Sequence, residues 1–205
     1  MVETWRLLDT GLASAARNIA LDRALLEARA ADEIPGSLRF LRFSPSLLIG
    51  SGQSAAQEAD LAECHRQGVT VQRRITGGNA WLVDERQLGW ELYLHRRDTG
   101  AADMQAVVKR IGHAAATGLA ALGVDARYRA RDAIEVEGRA IGAMACTVEG
   151  QGVLIQGVLY MEVDYPKLVC LLRSPGALQG DVAIAALRSR VVGLTDLLGC
   201  RVAPG

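Results

Sequence analysis

With 205 residues, 50% of them apolar, the chain is long enough to bury a sizeable core, and 23 basic residues balance 23 acidic ones. That balance gives no electrostatic footprint for nucleic acid or for an acidic membrane surface as partner. The four cysteines (Cys64, Cys146, Cys170 and Cys200) form no C-x-x-C pair, so neither a zinc site nor a disulfide framework is expected. No apolar run reaches the length of a membrane span, and no basic-then-apolar leader opens the chain. The expectation is therefore one domain over residues 1–205 in a reduced, cytoplasmic setting.

Residues 14–32 read as a helix with Ile19, Leu21, Leu25, Leu26 and Ala28 as its apolar stripe, ended by Pro35-Gly36. Residues 38–43 read as a strand, followed by a break at Ser44-Pro45-Ser46 and a short apolar run, 47–50. Gly50-Ser51-Gly52-Gln53 is a glycine-rich turn without the spacing of a phosphate loop. A short helix is expected over 55–67 and a strand over 69–74.

The next stretch, Gln72-Arg73-Arg74-Ile75-Thr76-Gly77-Gly78-Asn79-Ala80, is the most informative in the chain. Adjacent glycines permit positive φ and close approach of a ligand to the backbone. Their amides can form an anion-binding concavity, and Arg73 or Arg74 would add forked donors for a phosphate or carboxylate. The alternative is a hairpin with a Gly-Gly turn and two solvated arginines.

Alternation of Leu88, Trp90, Leu92 and Leu94 with Gly89, Glu91 and Tyr93 predicts a half-buried strand over 88–94. Met104, Val107, Val108, Ile111, Ala115, Leu119 and Leu122 predict a helix over 103–122. A second sheet-rich block covers 125–163, with two strands expected on either side of Gln156-Gly157. Asp164, two residues before Pro166, marks a helix start. A final helix from Asp181 would align Ile184, Leu187, Val191, Leu194 and Leu198, with Gly199 as C-cap. The order argues for an α+β domain with helices packed against mainly antiparallel sheets.

The motifs Arg73-Arg74-Ile75-Thr76-Gly77-Gly78-x-Ala80, Asp84-Glu85-x-Gln87-Leu88-Gly89-Trp90-Glu91-Leu92, Asn18-Ile19-Ala20-Leu21-Asp22 and Ile134-Glu135-Val136-Glu137-Gly138-Arg139, with Gln156-Gly157 one strand on, occur together. In this combination the chain resembles the lipoate–protein ligase A and biotin/lipoate A/B cofactor-transferase family. The resemblance implies a class II biotin/lipoyl synthetase-like catalytic-domain fold. It also implies attachment of lipoyl or octanoyl groups to a lysine of a lipoyl carrier domain, such as an H-protein-like one, with lipoate or lipoyl-AMP as ligand and ATP with Mg²⁺ as co-reactants. Arg73, Arg74, Thr76, Gly77, Gly78, Asn79 and Ala80 would line the acyl-adenylate pocket, joined by Arg139, Gln156 and Gly157.

Two positions depart from the family pattern. After Arg129-x-Arg131 the family has Asn-Asp, whose carboxylate helps hold the metal, and this chain has Asp132-Ala133. The family then has Gly-Arg-Lys-Ile, and this chain has Gly138-Arg139-Ala140-Ile141. Losing one such electrostatic donor typically costs about 100- to 1000-fold in rate. Because neighbouring side chains on a strand face opposite ways, neither Asp132 nor Arg139 is expected to stand in. Two alternatives follow: a non-catalytic homologue that binds a lipoyl carrier or a partner ligase subunit, and an octanoyltransferase using Cys146, for which Ala140 leaves no lysine alongside. A C-terminal accessory domain is not expected, so its function would reside on a separate accessory ligase subunit or be absent.

Overall fold

The computed structural model describes residues 4–100, 103–129, 132–173 and 180–202, which leaves Arg131 outside the described residues. Ten strands form two sheets among these residues. The larger is built from β1 (Arg6–Ala13), β2 (Ser37–Phe43), β6 (Leu88–His95), β10 (Gly152–Leu159), β9 (Arg139–Glu149), β8 (Ala133–Val136) and β7 (Arg127–Arg129), in that spatial order. The smaller sets β3 (Ser46–Ile49) between β4 (Thr70–Arg73) and β5 (Trp81–Val83). Only β1–β2 and β3–β4 pair in parallel, so the antiparallel α+β expectation holds.

The parallel β1–β2 pair is bridged by α1 (Ala15–Ala30), because parallel neighbours need a crossover rather than a hairpin. Ser14 caps α1 by accepting from the Arg17 amide. The expected apolar stripe is corrected: the buried face is Ala15, Asn18, Asp22, Leu26 and Arg29, with Ile19 and Leu25 only flanking it. Polar groups occupy the centre of this face because they answer polar groups on the sheet beneath.

Strand β6 is covered on both sides rather than one. Glu91 and Tyr93 face α1 and are buried, while Trp90, Leu92 and Leu94 join the main core under α4 (Met104–Ala120). Asp103 caps α4 through the Gln105 amide. Leu122, expected on its apolar stripe, lies past the helix end and is exposed.

Three other expectations change. The helix over 55–67 is two short pieces, α2 (Ala55–Glu58) and α3 (Leu61–Arg66), separated where Ala59 bridges Leu172. The two strands around Gln156-Gly157 are the single strand β10. Gly157 sits there not as a turn but because a Cβ would fall 2.0 Å from the Trp90 ring. The final helix is broken into α6 (Gly180–Arg188) and α7 (Leu194–Leu198), since Val191 instead bridges Ala140 of β9. Strand β1 carried no expectation at all.

Asp164 caps α5 (Tyr165–Leu171), with Pro166 in its first turn, and Gly199 ends α7 at φ 65, both as expected. None of the described helices is long and apolar enough to cross a membrane.

Candidate functional site

The link between β4 and β5 is the arginine–Gly-Gly segment, and it packs on the earlier glycine turn. A Cβ on Gly50 would lie 2.1 Å from the Gly78 carbonyl oxygen, so only glycine permits the two turns to touch. The Ser51 amide donates to the Thr76 carbonyl, and Gly78 itself takes φ 88.

The two arginines divide the work. Arg74 is buried and donates to the carbonyls of Leu48, Gly77 and Asn79 and to the Thr76 hydroxyl, while its guanidinium stacks 4.0 Å from the Trp81 ring centre. Burial lowers it to about 10, which leaves it cationic at neutral pH. Arg73 is exposed and donates to the carbonyls of Gly50, Ser51 and Gln53. Both side chains thus shape the turn from behind, through backbone carbonyls.

Beneath the turn lies a buried polar network. The Thr76 hydroxyl donates to Gln156 Oε1, and Gln156 Nε2 donates to both Asp22 and Glu91 at 2.8 Å. Arg39, opposite Glu91 in the sheet register, donates to Asp22, Glu91 and Asn18, and the Tyr93 hydroxyl donates to Glu91. Burial first, and then the neighbouring Glu91, push the Asp22 carboxyl well above its ordinary range. Every polar atom that Gln156 offers is therefore used internally.

A cavity of about 640 Å³ opens between this turn, α4 and β9. Gly77 and Gly78 form part of its wall, together with Asp132, Met144, Ala145 and Cys146. The remaining wall comes from α4, by Met104, Gln105, Val108 and Lys109, and from Tyr128 of β7. Its accessible lining is mostly hydrocarbon, with the charged groups Lys109 and Asp132 and the Cys146 thiol among it. Burial raises the Cys146 thiol above its ordinary value.

Among the residues expected from sequence, Gly77, Gly78 and Asp132 come together on the cavity wall. Asp132 reaches it although the alternation argument gave it no such place. It sits in the turn ahead of β8, where strand alternation does not apply, while Ala133 is buried in β8. Arg73, Arg74, Thr76 and Gln156 brace the turn, and Asn79 is exposed beside it. Ala80 lines a smaller neighbouring cavity of about 150 Å³ with Trp81 and Tyr160. Burial pushes the Tyr160 hydroxyl up to about 12.

Gly157 is packed under Trp90, and Arg139 pairs with Glu137. Ala140 has both backbone groups tied to Arg190 and Val192. These three are not among the main cavity's lining residues. Sequence reasoning missed Lys109 as a cavity residue. The usable signal was its place one residue after Val108 on a strongly amphipathic helix.

A family model described as the lipoyl protein ligase A/B catalytic domain matches residues 14–204. The octanoyltransferase LipM of Kyrpidia tusciae is 29% identical, over 98% of this chain and 82% of its own length. That of Moorella thermoacetica is 28% identical, over 99% and 82%. Among solved structures, the bipartite lipoate protein ligase from Thermoplasma acidophilum, described with its E2 lipoyl domain, superposes with a TM-score of 0.80 at 25% identity. That match covers 93% of this chain and 74% of the other. The class II fold expected from the resemblance is the one shared with solved lipoate and biotin ligases.

Proposed function

Since the chain belongs to the lipoyl protein ligase A/B catalytic-domain family, we propose that it transfers an octanoyl or lipoyl group to a lysine of a lipoyl carrier domain through a thioester on Cys146. One observation carries this reading: Cys146 and Lys109 open on the same largely apolar cavity as the Gly77–Gly78 turn. Position 140 holds no lysine, and Lys109 of α4 is the cationic side chain on the same cavity wall as Cys146. A thiolate paired with an ammonium offsets the burial that otherwise holds the thiol protonated.

The chemistry proceeds in two balanced steps. Cys146 Sγ attacks the carbonyl carbon of an acyl thioester; the new S–C bond forms, the bond to the donor thiol breaks, and that thiol leaves with the proton Cys146 released. The amine of the carrier lysine then attacks the Cys146 thioester. A C–N bond forms, the S–C bond breaks, and the amine proton returns to Cys146 Sγ. On this reading the Lys109 side chain swings across the cavity toward the thiolate in both steps, and the Gly77 and Gly78 backbone lies beside the reacting carbonyl. Met104, Val108 and Met144 take the alkyl chain.

Magnesium-ATP fits these residues poorly. Asp132 is the carboxylate on the cavity wall, Ala140 stands where the family lysine would, and no cluster of three metal-ligating side chains gathers among the described residues. The reading is tested by incubating the protein with octanoyl-acyl carrier protein and a lipoyl domain, with and without ATP, and weighing the carrier. Transfer without ATP, lost in Cys146→Ser and in Lys109→Met, supports it. Transfer from free lipoate that needs ATP and survives Cys146→Ser would establish the ligase reading instead. No modification under either condition would leave a carrier-binding homologue.

A further inference from the structure

Tyr128 of β7 and Cys146 of β9 both line the cavity, and the sheet register sets them apart along it. In the sheet register Tyr128 pairs with Ile134, and Ile134 with Gly142. Cys146 lies four residues farther along β9, about 13 Å at roughly 3.3 Å per residue. Met104, Val108 and Gly112 follow one another on a single face of α4, a row about 12 Å long at 1.5 Å per residue. Tyr128 closes that row: a Cβ on Gly112 would sit 2.1 Å from its Cδ2. The His113 ring packs edge-on against Tyr128, with centroids 5.5 Å apart. The glycine therefore determines how deeply the tyrosine ring can withdraw, and the ring determines where an alkyl chain starting near Cys146 must stop.

We infer that Tyr128, seated on Gly112, gauges the length of the acyl chain that the cavity accepts. The inference rests on the reading of the cavity as an acyl site. Shortening the gauge opens apolar volume at the end of the chain, while filling position 112 drives the ring inward. Each further methylene buried adds about 0.8 kcal/mol, so two of them are worth roughly a tenfold change in affinity.

The test is calorimetric titration of hexanoate, octanoate, decanoate and dodecanoate into the full chain and into folded variants checked by circular dichroism. The wild type is expected to show an optimum length. Tyr128→Ala should move that optimum upward by about two methylenes, with a shift of roughly tenfold in the long-to-short affinity ratio. Tyr128→Phe should keep the wild-type optimum, and Gly112→Ala should move it to shorter chains. Should Gly112→Ala fail to fold, Tyr128→Leu supplies the second graded change. A wild-type optimum that stays in place in Tyr128→Ala overturns the gauge and leaves the acyl site standing. A wild type that binds none of the four acids overturns the acyl site and the gauge together.

Discussion

The hydroxyl of Thr76 donates to Oε1 of Gln156 at 2.6 Å, joining the glycine turn to the interior of the large sheet. On the far side of Gln156 stand the acidic side chains of Asp22 and Glu91, and on the near side of Thr76 stands the Arg74 guanidinium. The turn is thereby fixed by polar contacts in addition to the apolar packing of Ile75. Thr76→Val keeps the shape but leaves Gln156 Oε1 without its donor in a buried place. That should cost about 1–3 kcal/mol, measurable by urea denaturation. The same variant should bind octanoate more weakly, because Gly77 and Gly78 lose their anchor.

The two arginines should separate cleanly under mutation. Arg74→Ala strips donors from three carbonyls and from Thr76 in a buried setting, and a loss of more than about 3 kcal/mol is expected. Arg73→Ala removes an exposed side chain that clips the 50–53 turn, and about 1 kcal/mol is expected. Equal losses in thermal or chemical denaturation would show that this division of labour is wrong.

Asp22 gives stability a pH dependence of definite sign. Its folded carboxyl keeps a proton that the unfolded chain releases above pH of about 4. The stability linked to this group is complete below the unfolded value and is lost as pH rises through the raised folded value. Asp22→Asn, which cannot ionise, should therefore flatten the decline in stability as pH rises above the ordinary aspartate range. Parallel slopes for the wild type and the variant would show that Asp22 is already charged in the folded protein.

Much of this arrangement was legible from residue order. The α4 stripe, the caps at Asp164 and Gly199, and the positive φ of Gly78 are local matters of periodicity, capping and backbone freedom. Strand β1 was not legible because Leu7 and Leu12 are exposed and a register shift interrupts its alternation. Val191 satisfied a helical stripe on paper and a bridge to Ala140 in the fold, and periodicity cannot choose between these uses. The polar face of α1 was missed for a related reason: an apolar-stripe search passes over Asn18 and Asp22, whose partners Arg39, Glu91 and Gln156 are remote in sequence. Lys109 and Cys146 likewise come to line one cavity only after α4 has packed against the β7–β8 end of the large sheet.

The most direct measurement is the intact mass of the protein itself after incubation with octanoyl-acyl carrier protein and no ATP. The account predicts one octanoyl adduct that hydroxylamine removes, that peptide mapping places on Cys146, that is absent in Cys146→Ser, and that passes to an added lipoyl domain. A lipoyl domain that becomes octanoylated by the Cys146→Ser variant as readily as by the wild type would contradict it.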